Sequence, residues 1–179
     1  FPLFRDLNDM FECLKNKSRM NAIAARIGLP YAAVAGYPGQ CAKAMRTRKQ
    51  IIYDAINKLV AVKEISDAFP NRLAIIFSET TEFTDRVTEE LGDSCVSFHS
   101  KIGKKQRTSN LKRLQDGRTK VNRISAARAL NEGVNIPKCS LAIVAAGNSK
   151  SKDWVQRLGR SIRWQEDKQA VIIRLYVKD

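Results

Sequence analysis

Apolar residues recur three or four positions apart at the start of the chain, at Phe4, Leu7, Phe11 and Leu14, and such spacing places them on one helical face. The stretch RKQIIYDAINKLVAV repeats the pattern with Ile51, Ile52, Ala55, Ile56, Leu59 and Val60. Residues 1–70 therefore read as a mainly helical lead-in segment. Between these helices GLPYAAVAGYPGQ carries three glycines and two prolines, residues that end helices and make turns, so turns are expected there.

After Pro70 the period changes. LAIIFS is short, continuously apolar and rich in β-branched residues, the pattern of a strand buried on both faces of a parallel sheet. TTEFTDRVTEEL follows as a helix capped by Thr80 or Thr81. SCVSFH predicts a second strand, KKQRTSNLKRLQDG a helix stopped by Gly117, TKVNRIS a more polar strand and SLAIVAA a fourth. SKDWVQRLGRSI then reads as a helix and QAVIIRLYV as a last strand. Alternating strands and helices with short connections predict an α/β fold, a doubly wound parallel sheet over residues 71–179, whose ligands bind beyond the carboxyl ends of the strands.

Composition narrows the partners. The 179 residues include 32 Lys+Arg against 18 Asp+Glu, a formal net charge of +14 that favours a polyanion. Cys13, Cys41, Cys95 and Cys139 form no C-x-x-C pair and there is one histidine, so neither a disulfide framework nor a metal site is expected. An intracellular, reducing compartment is the simplest expectation. No apolar run has the length a membrane span needs, and no membrane partner is expected. A chain beginning at Phe1 is expected to be part of a longer protein.

The chemistry-bearing residues concentrate late. DWVQRLGRSIRW sets Arg157, Arg160 and Arg163 three apart around Gly159, and ALNEGVNIPKC precedes it across the strand SLAIVAA. An isolated R-x-x-R is in most chains a solvated helix face. Here the two segments together resemble motifs V and VI of superfamily 2 helicases, nearest to the XPB-like and phage branched-DNA branch, in which EGxDxP is followed by a strand and QRxGRxxR. LAIIFSE is similar to motif IV of that family, and FHSKIGKKQRTSNLKRLQDG to its segment in which a histidine and a small residue precede a basic helix. The resemblance covers about residues 71 to 179, the second, C-terminal RecA-like domain.

That resemblance implies the C-terminal motor domain of an ATP-dependent DNA helicase or branched-DNA remodelling enzyme, of the kind used in DNA repair and recombination. It assigns Arg160 and Arg163 as arginine fingers, because guanidinium forks stay charged and donate in a plane to a transferring phosphoryl group. It assigns Gln156, Glu132, Gly133 and Asn135 to the nucleotide side of the interdomain cleft. Asn135 stands where the family has aspartate, so a hydrogen bond to a ribose hydroxyl there has no charge assistance. Ala127 stands where a hydroxyl residue is common, so its side chain cannot bind a nucleic-acid phosphate.

From Lys101 to Arg123 the chain holds nine Lys+Arg and one acid, Asp116, a surplus suited to a track along phosphates or, residue by residue, to a solvated helix face. Lys101, Lys104, Lys105 and Arg107 are the candidate nucleic-acid contacts, with His99 a backbone organiser beside them. No G-x-x-x-x-G-K-[ST] loop and no D-E-x-[DH] run occurs in the sequence. ATP and Mg²⁺ are therefore expected to be held mainly by an N-terminal RecA-like domain outside this chain, and the chain alone is expected not to hydrolyse ATP. Expected partners are that domain and single-stranded, forked or branched DNA; no residue reads a 2′-hydroxyl, so RNA stays open. Expected location is the cytoplasm in a bacterium or phage and the nucleus in a eukaryote. A non-catalytic nucleic-acid-binding RecA-like module is the alternative function.

Overall fold

The computed structural model describes residues 7–127, 136, 138–146 and 169–177. The chain divides into two units, residues 1–50 and 51–179.

In the first unit, helices α1 (Leu7–Leu14) and α2 (Lys17–Ile27) are followed by α3 (Tyr31–Tyr53), whose last three residues belong to the second unit. The side chain of Asn16 caps α2 by accepting from the Arg19 N–H at 3.0 Å. Gly28, at φ 68°, ends it: the Gly28 N–H donates to Ala25 O and the Leu29 N–H to Ala24 O, a left-handed cap that a Cβ would strain. Met10, Cys13, Met20, Ala24 and Val34 form a small core among these helices.

The turns expected in GLPYAAVAGYPGQ do not form beyond Pro30. Helix α3 runs through Gly36, Pro38 and Gly39, and Pro38 sits inside it as a buried residue. Proline lacks only its own N–H and clashes with one preceding carbonyl, so a long helix can absorb one such position. The helix expected across Ile51 to Val60 is also interrupted, since α3 stops at Tyr53 and α4 (Ile56–Ala68) starts anew. The break rotates the apolar face: Leu59 and Val62 are buried, whereas Ile51, Ile56 and Val60 are exposed.

In the second unit five strands, β1 (Ala74–Ser78), β2 (Cys95–Phe98), β3 (Arg123–Ala127), β4 (Leu141–Val144) and β5 (Val171–Arg174), form one parallel sheet in the order β2-β3-β1-β4-β5. Ala74 pairs with Arg123 on one side and Leu141 on the other, which fixes the centre. The β3 segment that reads as more polar is buried throughout, because it lies between β2 and β1 and only its first residue carries charge.

Side chains alternate between the two faces, as strand geometry requires. Ile75, Val96, Phe98, Ile124, Ala142 and Val144 pack on one face against Leu111 and Leu114 of α6 (Lys104–Gln115). Ala74, Ile76, Cys95, Leu141 and Ile143 face Leu59 and Val62 of α4 and Phe83 and Val87 of α5 (Thr81–Leu91). Helices thus cover both faces, as the doubly wound reading expects. A fully buried side chain such as Phe83 or Ile76 stabilises the fold by about 1.5–3 kcal/mol. No helix among the described residues is long and apolar enough to cross a membrane.

Candidate nucleic-acid interface at the carboxyl edge

All five strands end at the same edge of the sheet, so the segments after Ser78, Phe98, Ala127 and Val144 begin side by side. Thr80 caps α5 there, its hydroxyl accepting from the Phe83 N–H at 3.2 Å and donating to Asp54. Ser78 Oγ donates to Thr80 O at 2.9 Å and lies 2.6 Å from Thr84 Oγ1, so buried hydroxyls tie the end of β1 to the start of α5.

The turn from β2 to α6 carries the described candidates. His99 follows β2 directly and is 3% exposed. Its Nε2–H donates to Asp85 Oδ1 at 2.8 Å, since an ionised carboxylate can only accept. Ser97 Oγ donates to the same Oδ1 at 3.3 Å. His99 Nδ1 is buried with no partner among the described residues. The Ile102 N–H closes the turn on His99 O at 3.1 Å.

Beyond it, Lys101 Nζ lies 2.5 Å from Glu82 Oε1. Lys104 and Lys105 are exposed on the first turn of α6, whose cap residue Gly103 has no side chain to accept from the helix N–H groups. Positive side chains beside the positive end of a helix dipole are unfavourable unless an anion joins them, and free N–H groups with lysines favour phosphate at that point. The Arg107 guanidinium lies 5.7 Å from the centre of the Phe98 ring, so packing holds it against the sheet. Asn110 anchors the helix, donating from Nδ2 to Ser97 O at 2.8 Å while Gln106 donates to its Oδ1 at 3.0 Å.

The basic track counted from Lys101 to Arg123 is not one surface. Arg123 is 6% exposed at the amino end of β3 and donates to Ser66 O at 2.6 Å and Asn122 Oδ1 at 2.5 Å. Burial lowers its pKa, and its guanidinium serves the carboxyl end of α4 rather than a phosphate. Arg118 pairs with Asp116 at 3.0 Å. A count along the sequence cannot separate the two edges of a sheet that one strand spans.

Partners missed in the sequence are Glu82 and Asp85, one turn apart on α5, and Asn110. The i, i+3 spacing of two acids on the helix preceding the basic turn was the available signal. Arg160, Arg163, Gln156, Glu132, Gly133 and Asn135 lie outside the described residues. Among the described residues no group of three or more His, Cys, Asp and Glu side chains could hold a metal ion.

Residues 54–165 match the family model described as the helicase conserved C-terminal domain. The chain is 30% identical over 128 residues to the DNA 3'-5' translocase XPB2 of Sulfurisphaera tokodaii, covering 72% of this chain and 28% of the relative. It is 31% identical over 103 residues to the ATP-dependent RNA helicase dbp8 of Emericella nidulans, covering 56% of this chain and 19% of the relative. The chain thus spans less than a third of the length of these relatives. In fold it is similar to the C-terminal domain of the DEAD-box protein Dbp5, with a TM-score of 0.57 at 18% identity over 71% of this chain and 74% of that one. It is also similar to domain 2 of the DEAD-box helicase Mss116p bound to an RNA duplex, with a TM-score of 0.56 at 23% identity over 68% of this chain and 50% of that one.

Proposed function

The chain belongs to the family of helicase conserved C-terminal domains, and on that premise we propose that it is the C-terminal motor domain of an ATP-dependent DNA helicase or branched-DNA remodelling enzyme. One observation carries this reading: the family match over residues 54–165 contains the EGVNIP and QRLGR segments together with the basic turn after β2. The longer alignment, to a DNA translocase, supports DNA as the substrate.

In this reading Lys101, Lys104, Lys105 and the first turn of α6 contact the phosphate backbone without reading bases, while Arg107 and His99 shape the turn that presents them. Arg160 and Arg163 stabilise the charge of the transferring phosphoryl group across the cleft, with Gln156, Glu132, Gly133 and Asn135 beside the nucleotide. ATP and Mg²⁺ are held mainly by an N-terminal RecA-like domain, and Mg²⁺ there supplies charge neutralisation for the phosphates. This chain's own contribution is orientation and the two guanidinium groups.

The test pairs two measurements. Binding of single-stranded and forked DNA oligonucleotides to the chain is followed against salt, and ATP turnover is measured with and without an N-terminal RecA-like domain in the same polypeptide. Salt-sensitive binding, with turnover only in the two-domain form, is the expected result. Metal-dependent turnover by residues 1–179 alone overturns the division of labour. Salt-sensitive binding without turnover in the two-domain form favours the non-catalytic binding module instead.

A further inference from the structure

Two ion pairs on α5 have almost the same length and opposite places in the fold. At the carboxyl edge Lys101 Nζ lies 2.5 Å from Glu82 Oε1, with the side chains 65% and 59% exposed. At the other end of the helix Lys63 Nζ lies 2.6 Å from Glu90 Oε1. Only the first pair joins the basic turn between β2 and α6, where Lys104 and Lys105 stand exposed beside an α6 N-terminus without a side-chain cap.

We propose that Glu82 is a built-in competitor for nucleic-acid phosphate, holding Lys101 when no polyanion is bound and releasing it when one binds. The proposal rests on the reading of this edge as a nucleic-acid interface and adds a regulating residue to it. An exposed ion pair is weak, so a phosphate at the same ammonium displaces the carboxylate at small cost. The hydrogen bond from Lys101 keeps the Glu82 carboxyl at about 2, well below its ordinary value, and loss of that partner returns it upward. Asp85 does not share this role, because its partner His99 is buried and no phosphate reaches the ring without opening the turn.

The consequence is that binding at this edge is an exchange of one anion for another. Affinity is lower than the lysines alone would give, and bound DNA is released more readily, which suits a domain that must let go of each phosphate in turn.

The test measures binding of a single-stranded DNA oligonucleotide by fluorescence anisotropy in about 0.1 M salt for the full chain and four variants. Glu82→Gln is expected to tighten binding about two- to fivefold, the range set by the worth of an exposed pair. Glu90→Gln changes the net charge equally at the other end of α5 and is expected to leave affinity unchanged. In a Lys101→Gln background, Glu82→Gln is expected to give no gain. Carboxyl NMR adds a direct readout, with the Glu82 titration moving up toward the ordinary carboxylate range when oligonucleotide saturates the wild-type chain. Equal gains from Glu82→Gln and Glu90→Gln, a gain that persists without Lys101, or a Glu82 titration indifferent to DNA overturns the proposal while leaving the interface intact. Absence of salt-sensitive binding in the wild-type chain and the Glu82→Gln variant overturns the interface and the proposal together.

Discussion

His99 Nε2 and Asp85 Oδ1 lie 2.8 Å apart, a ring that is 4% exposed against a carboxylate that is 51% exposed. The pair joins the end of β2 to the outer face of α5. Asp85→Ala leaves a buried ring N–H without its acceptor, and a cost of about 1–3 kcal/mol in denaturant unfolding is expected. Asp85→Asn keeps an acceptor oxygen and is expected to recover part of that loss. Equal stability of the alanine variant and the wild type would show that the ring finds water instead.

The lysines of the first turn of α6 have no acid on that turn to neutralise them. Replacing Lys104 and Lys105 together by glutamine is expected to weaken single-stranded DNA binding and to reduce the slope of log affinity against log salt by up to about 1.4, roughly 0.7 for each phosphate no longer neutralised. Titrations at four or five salt concentrations measure it. An unchanged slope places the nucleic acid elsewhere.

In the two-domain enzyme, Arg160→Ala or Arg163→Ala is expected to lower DNA-stimulated ATP turnover by ~10³ to 10⁵ with the melting temperature retained, the range known for arginine fingers. Lysine at either position is expected to rescue poorly, because a point charge does not reproduce a planar fork. Arg157→Ala is the comparison, expected to act through stability or domain coupling. Near-normal turnover in both the Arg160 and Arg163 variants would remove the assignment.

Cys95 is 4% exposed, and burial pushes its thiol up from 9.0 to about 11. A raised folded pKa contributes stability that is complete below the unfolded value and is lost as pH rises through the folded one. Relative to Cys95→Ala, the wild type is therefore expected to lose about 2–3 kcal/mol between pH 9 and 11. At neutral pH Cys41, partly exposed, is expected to alkylate in the native protein well before the buried Cys13, Cys95 and Cys139, as peptide mass spectrometry would show. Early labelling of Cys95 contradicts the burial on which the shift depends.

The central strands β1 and β4 were legible because strands buried on both faces are almost continuously apolar, and LAIIFS and SLAIVAA are so apart from one terminal serine each. Thr80 as the cap of α5 was legible for a similarly local reason. The course of α3 through Pro38 and the break at Asp54 were not, because both depend on which side of a helix finds a neighbour and not on the propensity of one residue. Ile51 and Val60 have the spacing of a buried face and are exposed. At the candidate interface Lys101 and Lys104 stand out as candidates by charge alone, whereas the spacing of Glu82 and Asp85 hints at a pair but their partners Lys101 and His99 follow only from α5 lying beside the turn after β2. Arg123 shows the converse, a cation that counts toward a track in sequence and is spent inside the fold.

Arg72 stands just before the central strand, and its guanidinium donates both to Ser140 O at 3.3 Å, where the chain is about to start β4, and to Gln169 O at 3.2 Å, where it is about to start β5. One side chain thus fixes the starting points of two neighbouring strands from the quiet side of the sheet. With both starting points held, β5 begins in line with β4, Leu141 opposite Val171. The alignment of β5 on β4 is thus held by a residue that belongs to neither strand.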